Sequence, residues 1–390
     1  GGAGTGGIGT GGSGTGGSGT GGAGTGGAGT GGIIVDAAGG AGGKVDASSG
    51  GGDGNITDAS EAGDAADPNK PALLSQTGLY ADISKETLAE GVHAFQPQYT
   101  LWSDSATKRR WVYLPPGKKI DTSDMEFWQY PKGFKLWKEF TRDNVRVETR
   151  LLMKMGDGLN DWFMVAFKWR ADKSDADAVP KGEMNASGTQ HDIPSQEGCS
   201  TCHGSMWDNA LGFSALQLSH NIAGSLNLSM IASMGWMTDP PAAAGYALPG
   251  TAVDKAALGY LHANCGMCHN LHSKVYSTSS DMDLWTHLDQ IADVPSTRAY
   301  LSTVCDQWPG SKFSPITTCA AGHMTGAALD GTVAKTPKRV TPKNPAMSAL
   351  HELMSERGDA FNKSQMPPVG SEIVDPTGIA AVDAWINKLP

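Results

Sequence analysis

Cys-Ser-Thr-Cys-His at residues 199–203 and Cys-Gly-Met-Cys-His at residues 265–269 repeat one pattern, C-x-x-C-H, in the second half of a 390-residue chain. In each copy the spacing of the two thiols fits the two vinyl groups of one porphyrin, and the histidine that follows can place its imidazole beneath the iron. The sequence therefore predicts two covalently attached c-type haems. The predicted thioether ligands are Cys199, Cys202, Cys265 and Cys268, and the predicted iron ligands are His203 and His269.

A structural zinc site is the alternative interpretation of two C-x-x-C pairs. Zinc requires four thiolates to converge on one metal at ~2.3 Å. It leaves the histidine after each second cysteine unexplained, whereas haem attachment uses both histidines. We therefore favour two haems, and the positions of the four sulfurs in the fold can separate the two interpretations.

The second haem has a candidate ligand for its open face, because Met366 precedes Pro367 and Pro368. A methionine held by a stiff Pro-Pro segment can present its thioether to the iron. A His/Met pair raises the reduction potential and fills both axial positions, which suits electron transfer. Met347 and Met354 are the nearest competitors for this role, and an ordinary packing role for Met366 is the alternative.

Residues 252–390 resemble class I cytochrome c. A helical segment with Tyr260 leads into Cys265, a Met-Pro-Pro motif follows, and a terminal helical segment carries Trp385. The resemblance implies that Met366 is the distal ligand of the second haem. An insertion at about 281–340 departs from the small members of that class.

The first haem lacks such a signature, since no Met-Pro-Pro motif occurs between the two C-x-x-C-H groups. Several histidines and methionines could supply its distal ligand, although each has packing or surface exposure as its ordinary role. An empty distal position is also open, and it would favour a haem enzyme over a carrier. The candidates are His220, His191, Met206, Met230, Met234 and Met237.

Upstream of the haem motifs the chain divides by composition. Residues 1–70 contain a Gly-x-Gly-Thr-Gly repeat with almost no apolar side chains, which predicts a disordered tether. Residues 75–195 contain alternating apolar and polar runs that predict an antiparallel sheet or small sandwich, with strands near 98–102, 109–114, 134–141, 145–153 and 162–169.

The region after about 195 is rich in Ala, Leu and Met, and helices are predicted at 210–235, 253–263, 345–357 and 376–389. The predicted fold is α+β: the tether, an all-β domain, a first haem-binding segment at 196–250, and an all-α cytochrome c-like domain at 251–390 with the second haem.

The remaining cysteines, Cys305 and Cys319, close a 15-residue loop. They can form a disulfide or remain two buried thiols, and thioether attachment outside the cytoplasm favours the disulfide. The chain starts with Gly-Gly, which we interpret as a processed product of export that is periplasmic, anchored to the outer membrane, or extracellular.

The order of these parts, with Tyr-Thr-Leu-Trp-Ser-Asp at 99–104 and Glu-Thr-Arg-Leu-Leu at 148–152, resembles a family of exported bacterial two-haem cytochromes over about residues 75–390. The resemblance implies redox partner proteins, which include quinoprotein sugar dehydrogenases, and the glycine-rich start resembles the spacer behind a lipid anchor.

The chain carries a net charge of −10 with no basic block and no apolar run of ~18 residues, so neither nucleic acid nor a membrane-spanning segment is expected. The leading hypothesis is a carrier that relays single electrons between a periplasmic donor and an external or membrane acceptor. The alternatives are a haem enzyme, peroxidase-like or an oxidase of a small substrate, and a binding role for the β domain.

Overall fold

The computed structural model describes residues 1, 70–241, 245–278, 282–305, 338–358 and 365–390. The predicted tether and Cys319 lie outside the described residues, apart from the two ends of the tether. From Lys70 onward the described residues belong to one unit. None of the helices in this part of the chain has the length and apolar character needed to span a bilayer.

The β structure is an antiparallel sheet of six strands in which each strand pairs with the next along the chain, as predicted. Strands β4 to β7 coincide with four of the predicted segments, because alternating side chains mark both faces of the sheet. A separate ladder joins β1 to β2. The strands are β1 Tyr80–Asp82, β2 Thr87–Leu88, β3 Val92–Ala94, β4 Thr107–Tyr113, β5 Lys135–Arg142, β6 Val145–Lys154, β7 Trp162–Trp169 and β8 Ala176–Ala178.

The predicted strand at 98–102 is wrong, since this segment is an irregular connection. Its backbone donors go to the helical part of the chain instead of to a neighbouring strand. The Tyr99 amide donates to Gln217 Oε1 at 2.9 Å, and the Trp102 amide donates to Asn264 Oδ1 at 2.6 Å. These tertiary hydrogen bonds take the place of the strand-to-strand hydrogen bonds that the aromatic composition of the segment predicts.

Two apolar clusters cover the two faces of the sheet. On one face Trp137, Leu151 and Phe167 pack with Leu74 and Leu79, which precede the strands. The other face is covered by residues that follow the first haem motif. There Leu136 and Leu152 pack with Phe213 and Leu218, so the sheet and the haem-motif region share a hydrophobic core.

Helices dominate after residue 195, as predicted, but around 210–235 only a short helix forms. Gly224 and Gly235 take left-handed backbone angles there, with φ of 72° each, and Asn227 caps the helix between them. The apolar residues of this stretch reflect burial in the core rather than helical periodicity. The helices of the described residues are α1 Gln196–His203, α2 Leu228–Ser233, α3 Ala252–Asn264, α4 Lys274–Thr278, α5 Arg298–Thr303, α6 Ala349–Ser355 and α7 Pro376–Lys388.

Helices α3 and α7 pack against each other and form the core beside the second haem motif, where Leu258, Trp385 and Ile386 are buried. A glycine makes their close approach possible: a Cβ atom on Gly378 would lie 2.2 Å from the ring of Tyr260. Helix α3 runs directly into Cys265, so this packing fixes where the second motif begins.

Candidate functional site

The first motif is built on helix α1, which Ser195 caps by accepting a hydrogen bond from the Gly198 amide at 3.1 Å. Cys199 and Cys202 are one helical turn apart and therefore lie on the same side of α1. Both are free, partly exposed thiols. Such thiols can react with a cofactor held beside the helix.

His203 ends this helix as a neutral imidazole. Burial lowers the pKa of His203 to about 4. Its Nδ1 lies 2.6 Å from the carbonyl oxygen of Asn209, so Nδ1 carries the proton and donates it there. Nε2 makes no hydrogen bond to the described residues and keeps its lone pair, which is the state of a histidine ready to bind a metal.

The loop that holds His203 is anchored to the sheet by a buried ion pair. Asp208, next to Asn209, pairs with Lys154 at the end of β6, and the two side chains are each 1% exposed. Asp208 also accepts a hydrogen bond from the Trp162 indole at 2.9 Å. The sheet therefore positions the carbonyl oxygen that orients His203.

The second motif follows helix α3, whose last turn continues into it: the Cys265 amide donates to the Leu261 carbonyl oxygen at 2.9 Å. Burial raises the pKa of Cys265 to about 12, so this thiol is protonated. Burial also lowers the pKa of His269 to about 4. The Nδ1 atom of His269 is buried and has no hydrogen-bond partner within the described part of the chain.

The two motifs meet in the fold. The side chains of Cys202 and Cys268 lie within hydrogen-bonding reach of each other, and this contact raises the pKa of Cys268. Asn270, directly after the second motif, donates to the carbonyl oxygen of Ser205, two residues after the first, at 3.3 Å. Two motifs that begin 66 positions apart in the sequence are thus neighbours.

The arrangement does not match a zinc site. Four thiolates around one zinc, each at ~2.3 Å from it, would all lie within about 4 Å of one another. Among the described residues, which include all four motif cysteines, no three cysteine or histidine ligand atoms of the motifs come within 4.8 Å of one another. The two C-x-x-C pairs approach through one cysteine each and otherwise diverge.

Both motifs line one cavity of about 1120 Å³. This volume exceeds the ~300–1,000 Å³ of a typical small-molecule site. Free thiols, two unprotonated imidazoles and apolar walls fit the requirements of covalently attached haem. The cavity is bounded by the sheet on one side and by α1, α3, α6 and the segment around Met366 on the others.

Met366 lines this cavity, as does its competitor Met354, whereas Met347 does not and is 47% exposed. The Met366 amide donates to the Leu353 carbonyl oxygen at 2.8 Å, which fixes the segment to helix α6. Gln365 is buried beside it and donates to the Pro367 carbonyl oxygen at 3.0 Å. Met366 and Met354 therefore both reach the cavity, and the assignment of the ligand to Met366 rests on its Met-Pro-Pro motif.

The segment after Met366 is held by a residue from the irregular connection before β4. Asp104 accepts hydrogen bonds from the amides of Glu372 at 3.0 Å and Ile373 at 2.8 Å. Trp102 also donates from its indole nitrogen to the Ile373 carbonyl oxygen at 2.9 Å. The stretch at 99–104 thus holds the loop that carries Met366 in place by hydrogen bonds.

The sequence predicts six candidates for the distal ligand at the first motif. Of these six, His191 alone lines the cavity. Its Nε2 is 2.7 Å from Glu148 Oε1, so that nitrogen is already engaged. His220 is tied to the Gln96 carbonyl oxygen at 2.7 Å, away from the cavity. Met206, Met230, Met234 and Met237 do not line it either. Met184, which the sequence analysis did not consider, does line it and is 68% exposed.

Three basic residues on adjacent strands also face the cavity, and we call Arg110, Lys138 and Arg150 the cationic row. Arg110 lies opposite Lys138 in the register of β4 and β5, and Lys138 lies opposite Arg150 in the register of β5 and β6. The row was missed at the sequence level because it exists only once the three strands are placed in register. The alternation within each strand predicts which face a residue occupies, but not which residues of neighbouring strands lie beside it.

One further group of potential metal ligands occurs among the described residues, formed by Glu126, His287 and Asp289. His287 is held between Glu126 Oε1 at 2.8 Å and Asp283 Oδ2 at 2.9 Å. Burial opposes its protonation, but these two carboxylates raise its pKa to about 10. A protonated imidazole between these acids has no lone pair left for a metal, so the group is an ion-pair cluster and not a ready metal site.

Comparison with known proteins finds no family model, no curated protein and no solved structure that matches this chain.

Proposed function

We propose that this chain is an exported di-haem c-type cytochrome that relays single electrons. The observation that carries the proposal is the meeting of both C-x-x-C-H motifs at one cavity, with Cys202 in contact with Cys268. Each bound haem would supply a one-electron ferric/ferrous couple. Attachment points in contact favour two cofactors close enough to exchange electrons directly.

The protein residues have distinct roles in this proposal. The four cysteines hold the cofactors, and His203 and His269 offer a nitrogen lone pair to each iron because burial keeps both imidazoles neutral. Met366 offers its thioether at the second site. The largely apolar cavity walls would lower the local dielectric constant around the haems, which helps to set their redox potentials. Covalent haem attachment implies maturation outside the cytoplasm, in the periplasm, on the outer membrane or beyond it.

A haem enzyme is the second candidate, and a specific observation favours it. Among the sequence-predicted distal ligands of the first haem, only His191 reaches the cavity, and Glu148 engages its Nε2. If no side chain of the cavity lining fills the sixth position of that iron, the position stays open for a peroxide or another small substrate.

Spectroelectrochemistry with a carbon monoxide test separates the two candidates. A carrier titrates in two one-electron steps, and the ferrous protein binds no carbon monoxide because every axial position is filled. Binding of one carbon monoxide per chain, together with a high-spin ferric signal, would contradict the electron carrier and favour the haem enzyme. The Met366→Ala variant is the positive control, since it should open the second iron to carbon monoxide.

A further inference from the structure

The cationic row has too little negative charge around it. Arg150 is paired with Glu148, its Nε and Nη2 atoms lying 3.0 and 2.5 Å from the two carboxylate oxygens. Arg110 and Lys138 have no carboxylate partner among the described residues, and Lys138 has only the ring of Phe140 beneath its ammonium group, at 4.9 Å. With all three side chains protonated, the row carries three positive charges, and Glu148 is its one carboxylate partner among the described residues.

Arg110 is buried, and Lys138 and Arg150 are half-buried, which makes the charge imbalance costly. Arg110 is 8% exposed, and burial lowers its pKa to about 10. Burial also lowers the pKa of Lys138 well below the ordinary value, and the neighbouring cations add to this effect. An uncompensated buried charge costs several kcal/mol. A fold retains such a row when an anion fills the space in front of it.

The acids that line the cavity do not supply that anion, because each already has another partner. Asp104 binds backbone amides, Glu183 pairs with Lys168 at 2.6 Å, and Asp192 accepts from the Asn185 amide at 2.7 Å. Glu372 interacts with Asp192. None of these acids forms an ion pair with the row, which leaves an occupant of the cavity as the source of the negative charge.

The position of the row indicates which occupant. Helix α1, which carries the first motif, packs against β7 of the same sheet. Arg110, Lys138 and Arg150 line the cavity together with Cys199, Cys202 and His203. The occupant therefore lies against the first motif, and a haem attached there carries two carboxylates, which matches the net charge of the row.

We infer that Arg110, Lys138 and Arg150 form the binding site for the propionate carboxylates of the haem at the first motif, an inference that rests on the proposed function. Guanidinium groups bind carboxylates through paired, charge-assisted hydrogen bonds. The β-sheet thereby acquires a role in cofactor binding. Positive charge near the iron also favours its reduced form, so the row raises the potential of the first haem.

The test uses the full, haem-loaded chain with charge-removing and charge-conserving variants. Arg110→Gln, Lys138→Met and their combination remove charge, whereas Arg110→Lys and Lys138→Arg conserve it. Lys135→Met is the matched control, because Lys135 lies on the same strand, has its pKa lowered by burial and binds the Thr77 carbonyl oxygen at 2.7 Å outside the cavity.

Three measurements are made on each variant: haem content, the midpoint potential of each haem, and the propionate bending modes in the resonance Raman spectrum. The double variant should keep two haems, shift the propionate modes, and lower the first potential by at least a tenfold change in its reduction equilibrium, about 59 mV for one electron. The charge-conserving variants and Lys135→Met should match the parent protein in potential.

The outcomes separate this inference from the proposed function. Two haems with unchanged potentials and unchanged propionate modes in both Lys138→Met and the double variant would overturn the propionate site and leave the cytochrome intact. A parent protein without covalent haem would overturn the proposed function itself.

Discussion

Asp104 gives a sharp test of how the Met366 loop is held. Its carboxylate accepts short hydrogen bonds from two backbone amides, those of Glu372 and Ile373, and a longer one of 3.3 Å from the Ser371 hydroxyl. Hydrogen bonds to a charged group contribute about 1.5–3 kcal/mol each. Two of them give about 3–6 kcal/mol for complete removal of the carboxylate.

The better variant is Asp104→Asn, because residue 104 has a φ of 47° and asparagine tolerates this left-handed conformation. Asparagine keeps one neutral acceptor worth about 1 kcal/mol, so the expected loss of stability is about 2–5 kcal/mol. Asp172→Asn is the matched control. Asp172 also accepts a hydrogen bond from a backbone amide, that of Ser174 at 3.0 Å, but on the surface, so its replacement should leave the denaturation midpoint close to that of the parent.

Urea denaturation followed by tryptophan fluorescence measures the loss, and the weak long-wavelength band of a methionine-bound ferric haem reports ligation by Met366. Asp104→Asn should lower the denaturation midpoint without changing the slope and should lose the methionine band at lower urea than the parent. Equal midpoints for Asp104→Asn and Asp172→Asn, with the band unchanged, would refute the claim that Asp104 holds the Met366 loop in place.

Other substitutions test separate parts of the account. Met366→His should lower the midpoint potential of the second haem, because a His/Met pair holds a higher potential than two histidines; an unchanged potential in a redox titration would assign the ligand elsewhere. His287→Gln should cost about 3–5 kcal/mol at pH 7 by leaving two carboxylates unneutralised. Since the pKa of His287 is raised to about 10, its stabilisation is fully present below pH 6.5 and is lost as pH rises through 10, so the difference between parent and variant in urea should shrink over that range. Lys154→Met should cost about 3–5 kcal/mol by stranding buried Asp208, and circular dichroism melts should show it; a melting temperature equal to that of the parent would contradict the buried pair.

Local spacing is enough to predict candidate attachment residues, because two thiols and an imidazole in five consecutive positions define one cofactor's contacts without reference to the rest of the fold. The attachment of haem itself stays a prediction. Local spacing is likewise enough to predict strands β4 to β7, where alternation records burial on two faces. Met366 was identified from its prolines, and the structure places it on the cavity wall.

Features that depend on distant parts of the chain could not be predicted in this way. The segment at 99–104 has the aromatic composition of a strand, but its amides bind Gln217 and Asn264, and its acid binds the loop after Met366. The contact of Cys202 with Cys268 likewise depends on how α1 and α3 are brought together. The pairing of Cys305 with Cys319 stays a prediction, since Cys319 lies outside the described residues.

The intact mass of the mature protein, expressed in a bacterium that attaches haem c and checked by a pyridine haemochrome assay, tests the central claim most directly. The account predicts two haem additions for the parent chain, one for Cys199→Ala/Cys202→Ala or Cys265→Ala/Cys268→Ala, and none when all four cysteines are replaced. A parent mass without haem, or with one addition that survives loss of either pair, would contradict it.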